Sequence, residues 1–286
     1  MKKLKNRKKK SYKDRIWELD FIRGLCIILM MLFHMGVALV LFGEIWYYFA
    51  DDSSFLIGLA KLADSIVFSE LVDVDLREFV VPPFFIIAGL SAAFSKNIYK
   101  SFIKTTLFAL VISAVTYAAA IVAGDDFLFI SHGVFHIFAA CYLVYMLFCL
   151  AVRDKYVRSG LFLSLAIFGF VVLNMTNRGL INWPPTLFWS LIFQNAGYGG
   201  FWISALDSYT LLPWISWFFI GAAVSPYLYG NKKSLLPKLN RKWHLPVSFI
   251  GRYPIQFYAG HMVVVILLLI ILTFVFLGPE WLTALG

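Results

Sequence analysis

Seven stretches of this chain are almost unbroken runs of apolar residues, and the polar residues gather between them. The runs fall at about 21–42, 79–94, 102–123, 133–152, 160–173, 209–229 and 254–277. Runs this long read as membrane-crossing helices, because only a helix satisfies its own backbone groups in hydrocarbon. The predicted fold is all-α: a polytopic membrane helix bundle of about seven transmembrane helices, with short interfacial or re-entrant helices between them. In the segment 43–78, Leu59, Leu62, Ala63 and Ile66 recur at helical spacing with Lys61, Asp64 and Ser65 opposite. That pattern predicts a short helix lying on the membrane surface. The stretch 186–193 is apolar but too short to cross, so it is expected to dip into the bilayer.

Composition fits this class. The chain is 61% hydrophobic and 14% charged, where a soluble domain carries nearer ~25% charged residues. A basic tail, 1–15, is expected to precede a single membrane domain, 16–286, and no internal repeat is visible. The tail holds nine of the 25 Lys and Arg, and most others flank the third, fourth, fifth and seventh runs. An N-terminus in the cytoplasm leaves only Lys61, Arg77 and Arg178 outside. The positive-inside rule therefore predicts that orientation. The tail reads as a lipid-facing anchor; nothing in the apolar remainder supports nucleic acid. It does not read as a cleavable signal, since the following run is too long and carries charges. Cys26, Cys141 and Cys149 lie in apolar runs without CxxC spacing and read as packing residues.

Polar residues inside the runs carry the chemistry. Asp20 and Arg23 stand at the mouth of the first run, and His34 lies deep within it. At helical pitch Arg23 projects about 20° from His34, and Asp20 about 40° to the other side. Ionisable groups in a span are costly and read first as functional. A plain interfacial ion pair and a packed polar histidine are the alternatives. By rise, His34 sits about 20 Å from the inner boundary, in the outer half of the bilayer. His132 and His136 begin the fourth run, so these three histidines are expected to share an outward-opening pocket. His261, seven residues into the last run, is expected at a different level, only about 10 Å from the inner boundary. Imidazole is the natural general base near neutral pH. With a basic cytoplasmic rim, the arrangement predicts a two-faced reaction, with a phosphate-bearing donor below and an acceptor above. Arg23 and Arg252 are the candidate phosphate ligands. No metal is expected: only His132 and His136 have ligand-like spacing, without a neighbouring carboxylate.

RIWELDFIRGLCIILMMLFH (15–34) resembles the first-helix signature of the transmembrane acyltransferases, nearest to the bacterial heparan-α-glucosaminide N-acetyltransferase-like branch. The resemblance continues in order through PPFFIIAGLS (82–91), HGVFHIF (132–138), DSYTLLPWISWFFIGAA (207–223) and IGRYPIQFYAGH (250–261). It implies transfer of an acyl group, usually acetyl, from cytoplasmic acyl-CoA to a sugar or glycolipid on the far side. His34 matches the histidine following the D-x-x-R-G motif of the wider acyltransferase group. The lysosomal enzyme carries its active histidine in an exterior loop, and the loop 43–78 here has none. On this resemblance His34 is the base, and His136 polarises the thioester, positions the acceptor or orients His34; a satisfied histidine at a helix start is the plainer alternative for His136. Tyr258 and His261 line the pantetheine path, or bond between helices. Asp75, Arg77, Trp183 and Asp207 hold the sugar, with Trp189, Phe201 and Trp202 as further stacking rings; a solvated loop edge and an aromatic belt are the plainer alternatives. A transporter or flippase would share the buried ionisable groups but show inverted repeats. A scaffold would leave the D-x-x-R-G…H face unused, and a homo-oligomer stays open.

Overall fold

The computed structural model describes residues 16–50, 54–67, 69, 77–95, 97–184, 186–193 and 208–279. All regular structure among them is helical. The helices fall into two compact units, 1–84 with 236–286, and 85–235. Among the described residues five helices are long and apolar enough to cross a membrane, and two shorter apolar ones accompany them. The chain is a multi-pass integral membrane protein.

The first unit is built on α1 (Trp17–Phe49), α2 (Phe55–Val67), α9 (Leu245–Arg252) and α10 (Pro254–Leu277). Helices α1 and α10 run parallel in one fixed register. His34 meets His261 and Trp46 meets Thr273, both at a sequence separation of 227. Pro254, where α10 begins, therefore stands level with Ile27, well inside α1. The first turns of α1 face α9 instead. Gly24 and Gly251 lie at that crossing, where a Cβ on either would overlap the backbone of the other helix. Small residues there let the two backbones touch.

Helix α2 differs from its expected place. Gly43 packs on Ala60 and Gly36 on Val67, so α2 runs antiparallel down α1 over about 10 Å of rise. Its buried stripe is Leu56, Ala60, Ala63 and Val67, while Leu62 and Ile66 stay exposed. The small residues Ala60 and Ala63 permit this close approach. Leu56, Ile57 and Ala60 join Ala38, Trp46 and Leu269 in the unit's apolar core. The residues expected on the membrane surface are thus partly the wrong face of a helix packed on its neighbours.

The second unit holds α4 (Ile98–Ala123), α5 (Val134–Ala151), α6 (Lys155–Asn177), α7 (Leu187–Ile192) and α8 (Trp214–Leu228). Helix α3 (Arg77–Ala92) begins in the first unit and ends in the second. The second and sixth apolar runs form the shorter helices, α3 and α8. These pair in parallel: Ile86 meets Gly221, and Ser225 donates to the carbonyl of Leu90 (3.2 Å) at the same offset. Helix α6 runs antiparallel to α8, with the Ser159 hydroxyl on the Ala223 carbonyl and Gly169 against Ser216. Phe85, Phe138, Phe162 and Phe218 fill the core. Phe85 stacks on Phe138 at 4.2 Å. The short helix α7 docks through the Leu191 and Ile192 carbonyls, which accept from Leu211 and Leu212.

Candidate active site

One face of α1 carries the polar groups of the first unit at two heights. Along it Asp20, Gly24, Ile27 and Ala38 are buried, with His34 between the last two. At the upper height His34 Nδ1 lies 3.2 Å from His261 Nε2. The ring planes differ by 7° and the centroids lie 5.4 Å apart. That separation is the N···N distance plus about one ring radius at each end, so the rings meet edge to edge in one plane. His261 Nδ1 lies 3.2 Å from the carbonyl oxygen of Phe257. A carbonyl only accepts, so His261 carries its proton on Nδ1 and offers a lone pair at Nε2. His34 must then donate from Nδ1, which leaves its own lone pair on Nε2. Among the described residues nothing hydrogen-bonds that nitrogen. Tyr258 stands edge-on to both rings, with centroids at 6.0 Å from His34 and 5.6 Å from His261.

This pairing corrects two expectations. His261 is level with His34, because α10 starts beside Ile27 and not at the level where α1 begins. The ring bonded to His34 is His261, not His136. His136 accepts from the Gly133 N–H at Nδ1 (3.1 Å), so its proton is on Nε2, facing the Ser113 hydroxyl at 3.0 Å. That hydroxyl in turn donates to the Ile130 carbonyl (2.8 Å). Both nitrogens of His136 are thus engaged at the start of α5, where the ring caps the helix.

The lower height is charged. The Asp20 carboxylate is 3.4 Å from an Arg23 nitrogen and 3.7 Å from Arg252 Nε. Arg23 also donates to the carbonyl of Gly251 (3.2 Å). Two guanidiniums thus lie against one carboxylate beside the α1–α9 crossing. By rise it lies about 21 Å from His34 along α1. Next to it, Trp17 stacks on His244 at 4.3 Å and donates to the Leu236 carbonyl. His244 is fully buried, with Asn240 Oδ1 on Nε2 and Ser248 on Nδ1. Burial, aided by the Arg252 charge, pushes its pKa below the usual imidazole range and keeps it neutral.

The remaining candidates are spread out. Trp183 stacks with Trp189 (4.1 Å) and Phe193 (4.7 Å), and its N–H donates to Thr176. The ring is half-buried in its own aromatic cluster. Arg77 opens α3. Asp75, Phe201, Trp202 and Asp207 lie outside the described residues. His132 flanks α5, its Nδ1 beside Ser131, and burial lowers its pKa. Among the described residues no three His, Cys, Asp or Glu side chains converge as a metal site requires. The partnership of His34 with His261 had one sequence signal: His34–Trp46 and His261–Thr273 are both twelve residues apart, two polar pairs in matching register.

The family model of the catalytic domain of heparan-alpha-glucosaminide N-acetyltransferase matches residues 15–263, most of the chain. No curated protein and no solved structure matches it. The matched segment contains Asp20, Arg23, His34, Arg252, Tyr258 and His261, and the chain belongs to that family.

Proposed function

We propose that this membrane acetyltransferase moves an acetyl group from acetyl-CoA, bound on the cytoplasmic side of a bacterial plasma membrane, to a hydroxyl or amine of a sugar or glycolipid outside. The observation that carries the reading is the lone pair on Nε2 of His34, left open in mid-helix while Nδ1 is bonded. A base so placed takes the proton of the acceptor as its oxygen or nitrogen attacks the thioester carbonyl. The new C–O or C–N bond forms, the C–S bond breaks, and the departing thiolate recovers the proton from His34.

The rim cluster supplies the second half. Arg23 and Arg252 bring two guanidinium groups together at the rim, and guanidinium is the side chain best suited to grip the phosphates of a nucleotide donor. Their height below His34 is comparable to an extended pantetheine arm, so a donor held there by its phosphates reaches the base with its thioester. Tyr258, edge-on to both imidazoles, would line that path. Trp183, Arg77, Asp75 and Asp207 remain the candidates for holding the acceptor sugar.

The test is transfer of labelled acetyl from acetyl-CoA to glycolipid or oligosaccharide acceptors by purified protein in vesicles. His34→Gln is expected to keep CoA binding while turnover falls roughly 10²–10⁴-fold, the worth of a positioned base. Arg23→Ala or Arg252→Ala should weaken CoA binding, with the loss shrinking at high salt. Wild-type turnover by His34→Gln that binds CoA normally would overturn the assignment.

A further inference from the structure

We infer that His261 is a positioning residue: through the Phe257 carbonyl it fixes which nitrogen of His34 is basic. The inference rests on the reading of His34 as the base, and goes beyond it in assigning a role to the last helix.

A neutral imidazole has two tautomers of similar energy, and only one of them presents a lone pair at a given atom. An unassisted His34 would spend part of its time with the proton on Nε2, where it cannot act as a base. The structure removes that ambiguity in two steps. The Phe257 carbonyl, one turn before His261 on α10, can only accept, so the His261 proton sits on Nδ1. Its Nε2 then can only accept from His34 Nδ1, at 3.2 Å and in the plane of both rings. The chain of donors is directional: His34 Nδ1–H to His261 Nε2, and His261 Nδ1–H to Phe257 O. When His34 takes up a proton at Nε2, the positive charge is met at Nδ1 by that same lone pair.

The helix register holds this geometry. The Trp46 N–H donates to the Thr273 hydroxyl at 2.8 Å with the same offset of 227, twelve residues further along both helices. A slip of one helix along the other would break both bonds. Tyr258 packs edge-on against both rings and limits their rotation. His261 is buried, so its bond to His34 competes little with water.

The experiment uses the full chain in vesicles or nanodiscs, with His261→Phe and His261→Gln. Phenylalanine fills similar volume but accepts nothing; the glutamine amide oxygen can still accept from His34 Nδ1–H. His261→Phe is expected to lower kcat about 10²-fold with CoA affinity unchanged, and His261→Gln to recover to within about 10-fold of wild type. A structural role alone would impair both variants alike, and that result, or wild-type kcat in His261→Phe, overturns the inference. A readout independent of acetyl transfer is the 15N spectrum of histidine-labelled wild-type protein, with His34 assigned by its loss in His34→Gln. A protonated Nδ1 and an unprotonated Nε2 are expected. A protonated Nε2 refutes the tautomer assignment even if the acetyltransferase reading stands. The expected pattern in a protein that transfers no acetyl group would refute that reading and leave the imidazole pairing intact.

Discussion

The bond between Trp46 and Thr273 allows a quantitative test of how α1 and α10 are held. Both side chains are fully buried, and the indole N–H donates to the hydroxyl at 2.8 Å. Thr273→Val keeps the shape of the side chain and deletes the acceptor. The Trp46 N–H is then stranded without water, which costs about 1–3 kcal/mol. Hydrogen bonds between membrane helices average lower, about 0.6 with a ceiling near 1.7 kcal/mol. The hydroxyl's other bond, to the Leu269 carbonyl at 2.7 Å, leaves no orphan when lost, because that carbonyl has its helical partner. The expected cost is therefore about 1.5 kcal/mol.

Trp46→Phe removes the donor and part of the ring, leaving a small gap among Phe42, Leu56 and Ile57, and should cost about 2 kcal/mol. The double variant has neither donor nor acceptor. It is expected to be more stable than the sum of the single losses by about 1 kcal/mol. Reversible unfolding by steric trapping in bicelles measures all four corners of the cycle. A coupling energy below about 0.3 kcal/mol, the scatter of independent sites, would show that this bond does not set the register of the two helices.

Three further outcomes follow. Asp20→Asn should cost about 2 kcal/mol, because it removes the carboxylate that Arg23 and Arg252 both approach; Arg23→Met should cost less, since Arg252 still faces that carboxylate. The reverse order in a detergent melting assay would refute the shared-carboxylate account. His244 is held neutral by burial, with its pKa below the unfolded value. The folded state thus binds fewer protons, so its stability is full above about pH 6.5 and falls as pH drops below it. Amide exchange in α9, corrected for intrinsic rates, should speed up between pH 7 and pH 5, and His244→Gln should abolish the change. Finally, a cysteine at Ser53 should react with an impermeant maleimide from outside and one at Ser234 should not; the opposite pattern would reverse the orientation and the two-sided reaction with it.

What the sequence made legible was the long-range pattern. Helix α10 has the bounds its apolar run predicts, because Pro254 and Gly278 punctuate it. The polar face of α1 was legible as well, since a 3.6-residue period is well sampled over 33 residues. Helix α9 was not. Eight residues sample too little of a helical period, and the lysines and arginines around them read as a loop. Its clues were local: Pro246 in the first turn and Gly251 where the backbone of α1 arrives. The depth of His261 does not follow from counting along its own apolar run, because the two runs do not begin at one level. In the structure α9 occupies the level beneath α10, so α10 starts higher than α1. The partner of His34 depended on that offset, which composition does not encode. The match between the paired spacings of twelve residues is the one trace it leaves.

The choice of a second imidazole in place of a carboxylate as the orienting partner follows from where it sits. His34 is halfway along α1, and His261 is level with it, buried in an apolar surround. A carboxylate there would accept more strongly from His34 Nδ1, but it would be ionised with no guanidinium at that height among the described residues. An ionised side chain at mid-membrane costs roughly 2.5–3.5 kcal/mol even on the most permissive scale. The neutral imidazole avoids that cost and develops charge only while the acceptor proton is held. The charged groups Asp20, Arg23 and Arg252 stay at the lower level instead. His261→Glu is therefore expected to fold less stably than His261→Gln by about 2 kcal/mol, although its side chain can reach the same nitrogen. Steric-trapping stability of the two variants decides the point. If His261→Glu matches His261→Gln in stability, the surroundings of the pair are wet enough to carry a charge, and the argument for a neutral partner fails.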